Sequence, residues 1–352
     1  MTLSKNVSRP ALLSLSLILV LAVLALSACG QEEPGPREKW ETSAHADTES
    51  AAFTNWNDRD PAEIPENCAK CHSTHGYLDF LGEDGSEPGV VNKPAPVGTT
   101  VECDACHNDT AAAKTAAVMP SGKTIDGLDG ESNCMECHQG RASGAQIQEA
   151  IDGLPLDTVN SELSFVNIHS NPAGPTQYGA LAAGGYEYAG RDYAQKYDHA
   201  PEFSTCTECH DAHTLQVRVD SCSACHLGAN TAADLPNIRV TNVDYDGDGD
   251  VTEGIAAEVE GVHDLLYRFI QLKALQDGAQ ISYEDRRPYF FDESGEEFKN
   301  WTPRLMRAAF NYHYVAKNTG GYAHHPQYLI QLMYDSLDDL GSDTRFITRP
   351  ES

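Results

Sequence analysis

The chain has 352 residues, with 53 acidic against 24 basic side chains and a formal net charge of −29. So acidic a balance argues against nucleic acid and anionic lipid headgroups as partner surfaces, since like charges repel. The length suits two domains.

At the N-terminus Lys5 and Arg9 precede an apolar run from Ala11 to Leu26, followed by Leu26-Ser27-Ala28-Cys29. A basic start, a hydrophobic segment and small residues before a cleavage point predict a secretory signal peptide over residues 1–28. The run is also short of the roughly 20 apolar residues a spanning helix needs. Leu26-Ser27-Ala28-Cys29 resembles the bacterial lipobox, which implies cleavage before Cys29 and lipidation of its sulfur and new amino terminus. Several acyl chains anchor durably where one is marginal. By the same resemblance, Gly30 in place of Asp points to the outer membrane. Loss of Lys5 and Arg9 takes the formal charge to −31. Residues 29–50, polar and Pro/Gly-rich from Gln31 to Arg37, read as a flexible lipidated tether.

From residue 51 to 234 five runs share one pattern: Cys68-Ala69-Lys70-Cys71-His72, Cys103-Asp104-Ala105-Cys106-His107, Cys134-Met135-Glu136-Cys137-His138, Cys206-Thr207-Glu208-Cys209-His210 and Cys222-Ser223-Ala224-Cys225-His226. C-x-x-C-H is the attachment signature of c-type haem. Its two thiols add to the porphyrin vinyl groups, and the adjacent imidazole takes one axial position on the iron. A zinc ribbon needs no histidine fixed after each second cysteine, and a thioredoxin-like pair would occur once. Haem uses ten of the eleven cysteines and lipidation the eleventh. The segment is rich in Gly, Pro, Asn and Asp and poor in long amphipathic patterns. Short helices around each motif are therefore expected, with five apolar porphyrins replacing an aliphatic core. Without haem this region is not expected to fold.

Residues 235–352 lack cysteine and show helical periodicity. Ile255, Val259, Val262, Leu266, Phe269, Ile270 and Leu272 recur at spacings close to three and four, predicting one helix over 255–275. Trp301 to Val315, with Pro303 near its start, and Tyr328 to Leu340 predict two more. The fold class is thus mainly α with extensive loops: a pentahaem domain plus a small C-terminal helical domain.

Between them runs Asn242-Val243-Asp244-Tyr245-Asp246-Gly247-Asp248-Gly249-Asp250-Val251-Thr252-Glu253. It fits the EF-hand calcium loop with Asn242 first, Gly247 at the turn and Glu253 last. Asn242, Asp244, Asp246, Asp248, Asp250 and Glu253 offer the oxygens that Ca²⁺ requires. Asn stands in first place and Gly249 in eighth, and Leu235 to Thr241 reads as extended. A calcium loop followed by a single helix is expected, not a paired EF-hand, with the ion pinning the start of the helical domain.

The far side of each iron decides between carrying electrons and catalysis, because two imidazoles leave no open position. Nine histidines lie outside the motifs: His45, His75, His169, His199, His213, His263, His313, His324 and His325. His213 and His75 each follow a motif histidine by three residues, His199 precedes the fourth motif closely, and His169 occupies the gap between motifs three and four. Met119 and Met135 are thioether alternatives. His263 and His313 fall in helical patterns and read as packed or solvated.

Gly184-Gly185-Tyr186-Glu187-Tyr188-Ala189-Gly190, Trp301-Thr302-Pro303-Arg304-Leu305, Asp246-Gly247-Asp248-Gly249-Asp250-Val251-Thr252-Glu253-Gly254 and Tyr322-Ala323-His324 resemble segments of a family of polyhaem, membrane-associated lipoprotein cytochromes c from metal- and sulfur-respiring bacteria. The likeness runs from about Trp40 to Leu340. Ala323-His324-His325-Pro326 resembles a G-x-H-N segment that gives a distal ligand in other multihaem cytochromes, with His325 in place of Asn. Ser43-Ala44-His45-Ala46 resembles the family's early distal histidine. The distal set is then expected to be His45, His169, His199, His213 and His324, with His75 the rival.

The function this supports is electron transfer through bis-histidine haems in periplasmic, outer-membrane or extracellular respiration. Partners would be other cytochromes or an extracellular or mineral acceptor, with the membrane reached through the lipid. A reductase of nitrogen or sulfur oxyanions is the alternative, weakened because no C-x-x-C-K motif occurs and the net charge repels anions. In the second region Arg286, Arg287, Arg304 and Arg307 are the concentrated basic residues, read as salt-bridge partners. A cytochrome filament subunit is the third reading.

Overall fold

In the computed structural model, residues 33–352 are described, Ser170 and Pro201 excepted. The signal segment and Cys29 lie outside the described residues. The described residues are mainly helical, with three two-stranded antiparallel ribbons among them: Glu63–Ile64 with Ala95–Pro96, Ala116–Val118 with Thr124–Asp126, and Ser282–Tyr283 with Phe290–Phe291.

The first half is a run of short helices, some of them opened by a side-chain cap. Ser50 accepts from the Ala52 amide at the start of Ala51–Thr54, and Asn108 accepts from Ala111 at the start of Asp109–Ala113. Each C-x-x-C lies in or beside such a helix. In motifs two to five the histidine amide donates to the carbonyl of the first cysteine, at 2.8 to 2.9 Å. That single turn sets two sulfurs and an imidazole on one side of the backbone. No long apolar face is available, so packing is local. Trp56, Ile64, Ala69 and Ala95 form one small core, Tyr77, Leu81, Ala105 and Ala111 another, and Met119, Ile125, Leu128, Met135 and Tyr178 anchor a third. Met119 and Met135 are thus also core residues.

In place of a free tether throughout 29–50, the chain folds onto the body from Pro36. Pro36–Trp40 is helical, the Trp40 indole donates to the Val101 carbonyl at 2.9 Å, and Val101 N–H donates to the His45 carbonyl.

Three long helices dominate the second half: Ile255–Gln276, Pro303–Ala316 and Pro326–Asp339. Thr302 caps the second by accepting from Leu305, and the proline just inside each of the last two has a φ already suited to a helix. On the first, Val259, Val262, Leu266 and Ile270 are buried, with Ile255 and Phe269 packed at the margin. Leu272 departs from the expected face and is 49% exposed, because its step of two from Ile270 rotates it off the stripe. A short 3-10 turn, Ala232–Asn237, stands where an extended run was expected from Leu235.

The largest core draws on both sides of residue 234. Ile147, Ile151, Leu163, Ile168 and Tyr186 join Leu266, Phe310, Tyr314, Leu329 and Leu332. Buried Asn311 stitches the two together, accepting from the Tyr186 amide at 2.7 Å and donating to its carbonyl at 3.0 Å. Gly184 and Gly185 explain themselves here. A Cβ on Gly185 would lie 2.2 Å from Leu332, and one on Gly184 would lie 2.5 Å from the Tyr314 hydroxyl.

Leu266 is fully buried in this core. Leu266→Ala is expected to cost about 2–5 kcal/mol, measured as a lower Tm with covalent haem content unchanged.

Candidate functional site

One cavity of about 2620 Å³ runs through the molecule, lined by all ten motif cysteines and all five motif histidines. Five further histidines reach it: His45, His169, His199, His213 and His324. The remaining four, His75, His263, His313 and His325, do not line it.

The cavity histidines face one another. Ring centres lie 6.3 Å apart for His45 and His138, 5.9 Å for His72 and His169, 6.1 Å for His107 and His213, and 5.8 Å for His199 and His226. His210 and His324, the two cavity histidines outside these four pairs, line the same cavity. Two imidazoles bonded to one metal at about 2.0 Å each, their centres about 1.1 Å behind the nitrogens, stand roughly 6 Å apart. The gaps therefore suit an iron between each pair.

Protonation agrees with that use. The Nδ1 of His72 lies 2.7 Å from the Ala52 carbonyl and that of His210 3.1 Å from the Leu215 carbonyl. A carbonyl only accepts, so Nδ1 carries a proton, which leaves Nε2 as the nitrogen that could bind a metal. Burial, aided by His138 for His45 and by His72 for His169, lowers both rings to about 4. Burial first, then His210, lowers His324 to about 4 as well. All three are neutral at pH 7.

The adjacent histidines His324 and His325 are distinguished by their bonds. His325 is 1% exposed, its Nε2 lies 2.9 Å from the Gln195 carbonyl, and its Nδ1 accepts from Tyr328 N–H to cap the last long helix. Its ring is fully engaged. His324 has a buried Nδ1 with no protein partner, and its ring rests where Gly320 leaves room, 2.8 Å from where a Cβ would stand. His75 is exposed. His263 stacks on Tyr312 at 4.0 Å. Buried His313 donates from Nε2 to the Asn167 amide oxygen at 2.9 Å and accepts from Tyr283 at Nδ1. The same Asn167 oxygen accepts from the His169 amide at 2.7 Å, supporting His169 in a left-handed conformation at φ +78°.

The motifs also touch each other. Glu136, between the cysteines of the third motif, is buried and pairs with Lys70, between those of the first, at 3.0 Å, and with Lys114 at 2.8 Å. The Cys71 sulfur lies 3.8 Å from the Glu136 carbonyl, and the Cys137 sulfur 3.9 Å from that of Lys70. Composition carries no signal for this clasp, whose two charges stand within C-x-x-C spacers far apart in the sequence.

In the acidic loop, oxygens of Asp246, Asp248 and Glu253 lie within 4.8 Å of one another, as do those of Asp244, Asp246 and Glu258. Glu258 was not foreseen. It is fully buried, accepts from the Tyr245 and Asp246 amides, and pairs with Arg239 at 2.6 Å. Gly247 turns the loop at φ +80°, where a Cβ would strike the Phe346 carbonyl. Asn242 is exposed, and Asp250 accepts from Thr252. Glu253 Oε1 is buried without a partner. Burial and neighbouring carboxylates raise both Asp246 and Glu253 above the ordinary range.

Of the four arginines singled out, Arg304 pairs with Asp157 and Asp339, Arg307 with Asp339 and Arg286 with Glu284. Arg287 lines the cavity instead.

The chain is similar to two proteins of Geobacter sulfurreducens. It is 26% identical to the C-type polyheme cytochrome OmcB over 368 residues, which is 83% of this chain and 46% of that protein. To the C-type polyheme cytochrome OmcC it is 26% identical over 393 residues, 90% of this chain and 48% of that protein. The chain spans about half the length of the curated relatives it matches. No family model and no solved structure matches. The likeness supports a multihaem c-type cytochrome.

His325→Ala is expected to lower stability by about 1–3 kcal/mol through the lost cap and buried bond, seen as a reduced Tm with the spin state of the oxidised protein unchanged.

Proposed function

We propose that this protein is a five-haem c-type cytochrome that carries electrons, with every iron held between two imidazoles. The observation that supports the reading is the pairing of rings in one cavity: His72 faces His169, His107 faces His213, His138 faces His45 and His226 faces His199, and the two cavity histidines left over, His210 and His324, make the fifth pair of the proposal. Haem c, when bound, supplies reversible one-electron chemistry. The chain's part is to hold and insulate. Cys68, Cys71, Cys103, Cys106, Cys134, Cys137, Cys206, Cys209, Cys222 and Cys225 would tether it, while the paired imidazoles would hold its irons. The four histidines outside the cavity leave the five pairs intact, so no open position for a substrate is called for, which favours transfer over catalysis.

The relatives are named as polyheme cytochromes, and the proposed role here is the same class of work: passing electrons between other redox proteins and an acceptor outside the cytoplasm. Anchoring by a lipid on Cys29, at the outer membrane, belongs to this proposal. Among the described residues no helix is long and apolar enough to cross a membrane. Asp244, Asp246, Asp248 and Glu253, with Asn242 and Asp250 at the rim, are proposed to hold Ca²⁺. The support is the crowding of like charges around Asp246 and the unpartnered Glu253 oxygen, both relieved by a cation.

Electron paramagnetic resonance of the oxidised protein should show only low-spin ferric signals, and His324→Ala should convert one haem in five to high spin. A high-spin fifth in the unaltered protein would sink the carrier reading. Stripping calcium with a chelator should lower the Tm, the loss being about 2.7 kcal/mol relative to protein held at a hundredfold excess over Kd. A Tm indifferent to chelation and to added Ca²⁺ would remove the calcium site.

A further inference from the structure

Charged residues make up 22% of this chain, yet the thirteen residues from Ser221 to Ala233 include no Asp, Glu, Lys or Arg. They carry the fifth motif, whose His226 faces His199 with ring centres 5.8 Å apart. Asp220 and Asp234 mark the two ends, and Asp234 is turned back on the strip, accepting from the Asn230 and Thr231 amides at 3.0 and 2.8 Å. Within the strip Ala224, Leu227 and Gly228 are exposed, Leu227 at 96%. None of the three lines the cavity, so their exposure is to solvent. One turn of backbone, closed by the His226 amide on the Cys222 carbonyl at 2.9 Å, would separate that solvent from a porphyrin held by Cys222 and Cys225. The other motifs are arranged differently. In the first and third the residue after the histidine, Ser73 or Gln139, is buried; in the second and fourth it is half-buried Asn108 or Asp211. The second motif also reaches the surface, but exposed Glu102, Asp104 and Asp109 border it. Among the five, the fifth alone ends on an exposed apolar side chain.

A cationic partner would be drawn to the carboxylate-rich faces, and this strip has nothing to attract it. An uncharged apolar face suits a partner as acidic as this chain, because the like charges then stay away from the contact. A second copy, with the same net charge of −29, is such a partner. We propose that a second copy of this chain docks on the face formed by Ala224, Leu227 and Gly228, and that electrons pass between the two fifth-motif haems. The inference rests on the c-type haem reading above. Each face meets its own twin about a two-fold axis, so the contact closes at two copies and builds no filament. One electron leaves the ferrous iron of one copy and reduces the ferric iron of the other, with no bond or proton exchanged. Anchoring by lipid, as proposed above, would hold copies in one plane and raise their effective concentration. A small apolar face then suffices for a short-lived encounter.

The test is electron self-exchange of the full-length holoprotein, read from the concentration-dependent broadening of haem-methyl NMR signals in half-reduced samples. L227E and L227K should each slow it by about tenfold, since the contact then brings identical charges together. Reduced L227K mixed with oxidised L227E, one of them isotopically labelled so that its signals are read alone, should regain the unaltered rate or exceed it. L275E places the same charge on another exposed leucine, in the helical half. It should change the rate by less than about twofold, because screening confines a surface charge to its surroundings. Equal slowing by L227E and L275E, or a mixture as slow as its two parents, would overturn the proposal. So would an L227E that altered only oxidation by a basic monohaem cytochrome c, used as probe, because the face would then belong to a foreign redox protein. A haem count below five by pyridine haemochromogen in the unaltered protein would instead bring down the underlying reading, and the proposal with it.

Discussion

The structure depends on one constraint: ten histidines must line a single cavity, eight of them facing each other in pairs about 6 Å apart, across a space the protein does not fill with its own side chains. Rings drawn from both ends of the chain meet there. His324 comes from the last third of the sequence and His45 from its beginning, so the cavity cannot close until distant segments have docked. The small cores behind the individual motifs hold too little apolar surface to enforce this alone.

The rigid part is the helical half, and it reaches the cavity by specific handles. Asn318 and Tyr314 both bond to Thr176, tying the second long helix to the segment after the third motif. The His313–Asn167 pair holds the backbone of His169, and the His325 cap fixes the residue next to His324. Two of the five facing histidines are therefore positioned by a core that contains no cysteine. This is why the large core runs across residue 234 and does not stop there.

Sequence made the local features legible. Motif turns, the three long helices and the acidic loop each depend on neighbours a few residues away, and periodicity or spacing reports such neighbours directly. Pairings are another matter. His199 reads as belonging to the fourth motif on proximity but faces His226 of the fifth, and His169, from the gap before the fourth, faces His72 of the first. Nothing in a linear string encodes which distant ring will stand opposite. The folding of residues 36–50 onto the body was hidden for a similar reason: its anchors are the Trp40 indole on Val101 and Lys39 on Asp211, remote contacts on a segment whose composition looks like linker. Glu258 escaped because it sits beyond the loop pattern, on the helix that follows.

The clasp between Lys70 and Glu136 has a consequence for speed. Both charges lie inside the very loops that carry the thioether sulfurs, and Glu136 is almost wholly shielded from water. Pulling the first and third motifs apart would take one of two cations from a buried carboxylate and leave it with Lys114 alone. Thermal breathing is thus resisted between the first and third motifs, whose cysteines each lie against the other's spacer backbone. A hop that falls off steeply with separation keeps a constant rate when its two ends are riveted through the same few atoms.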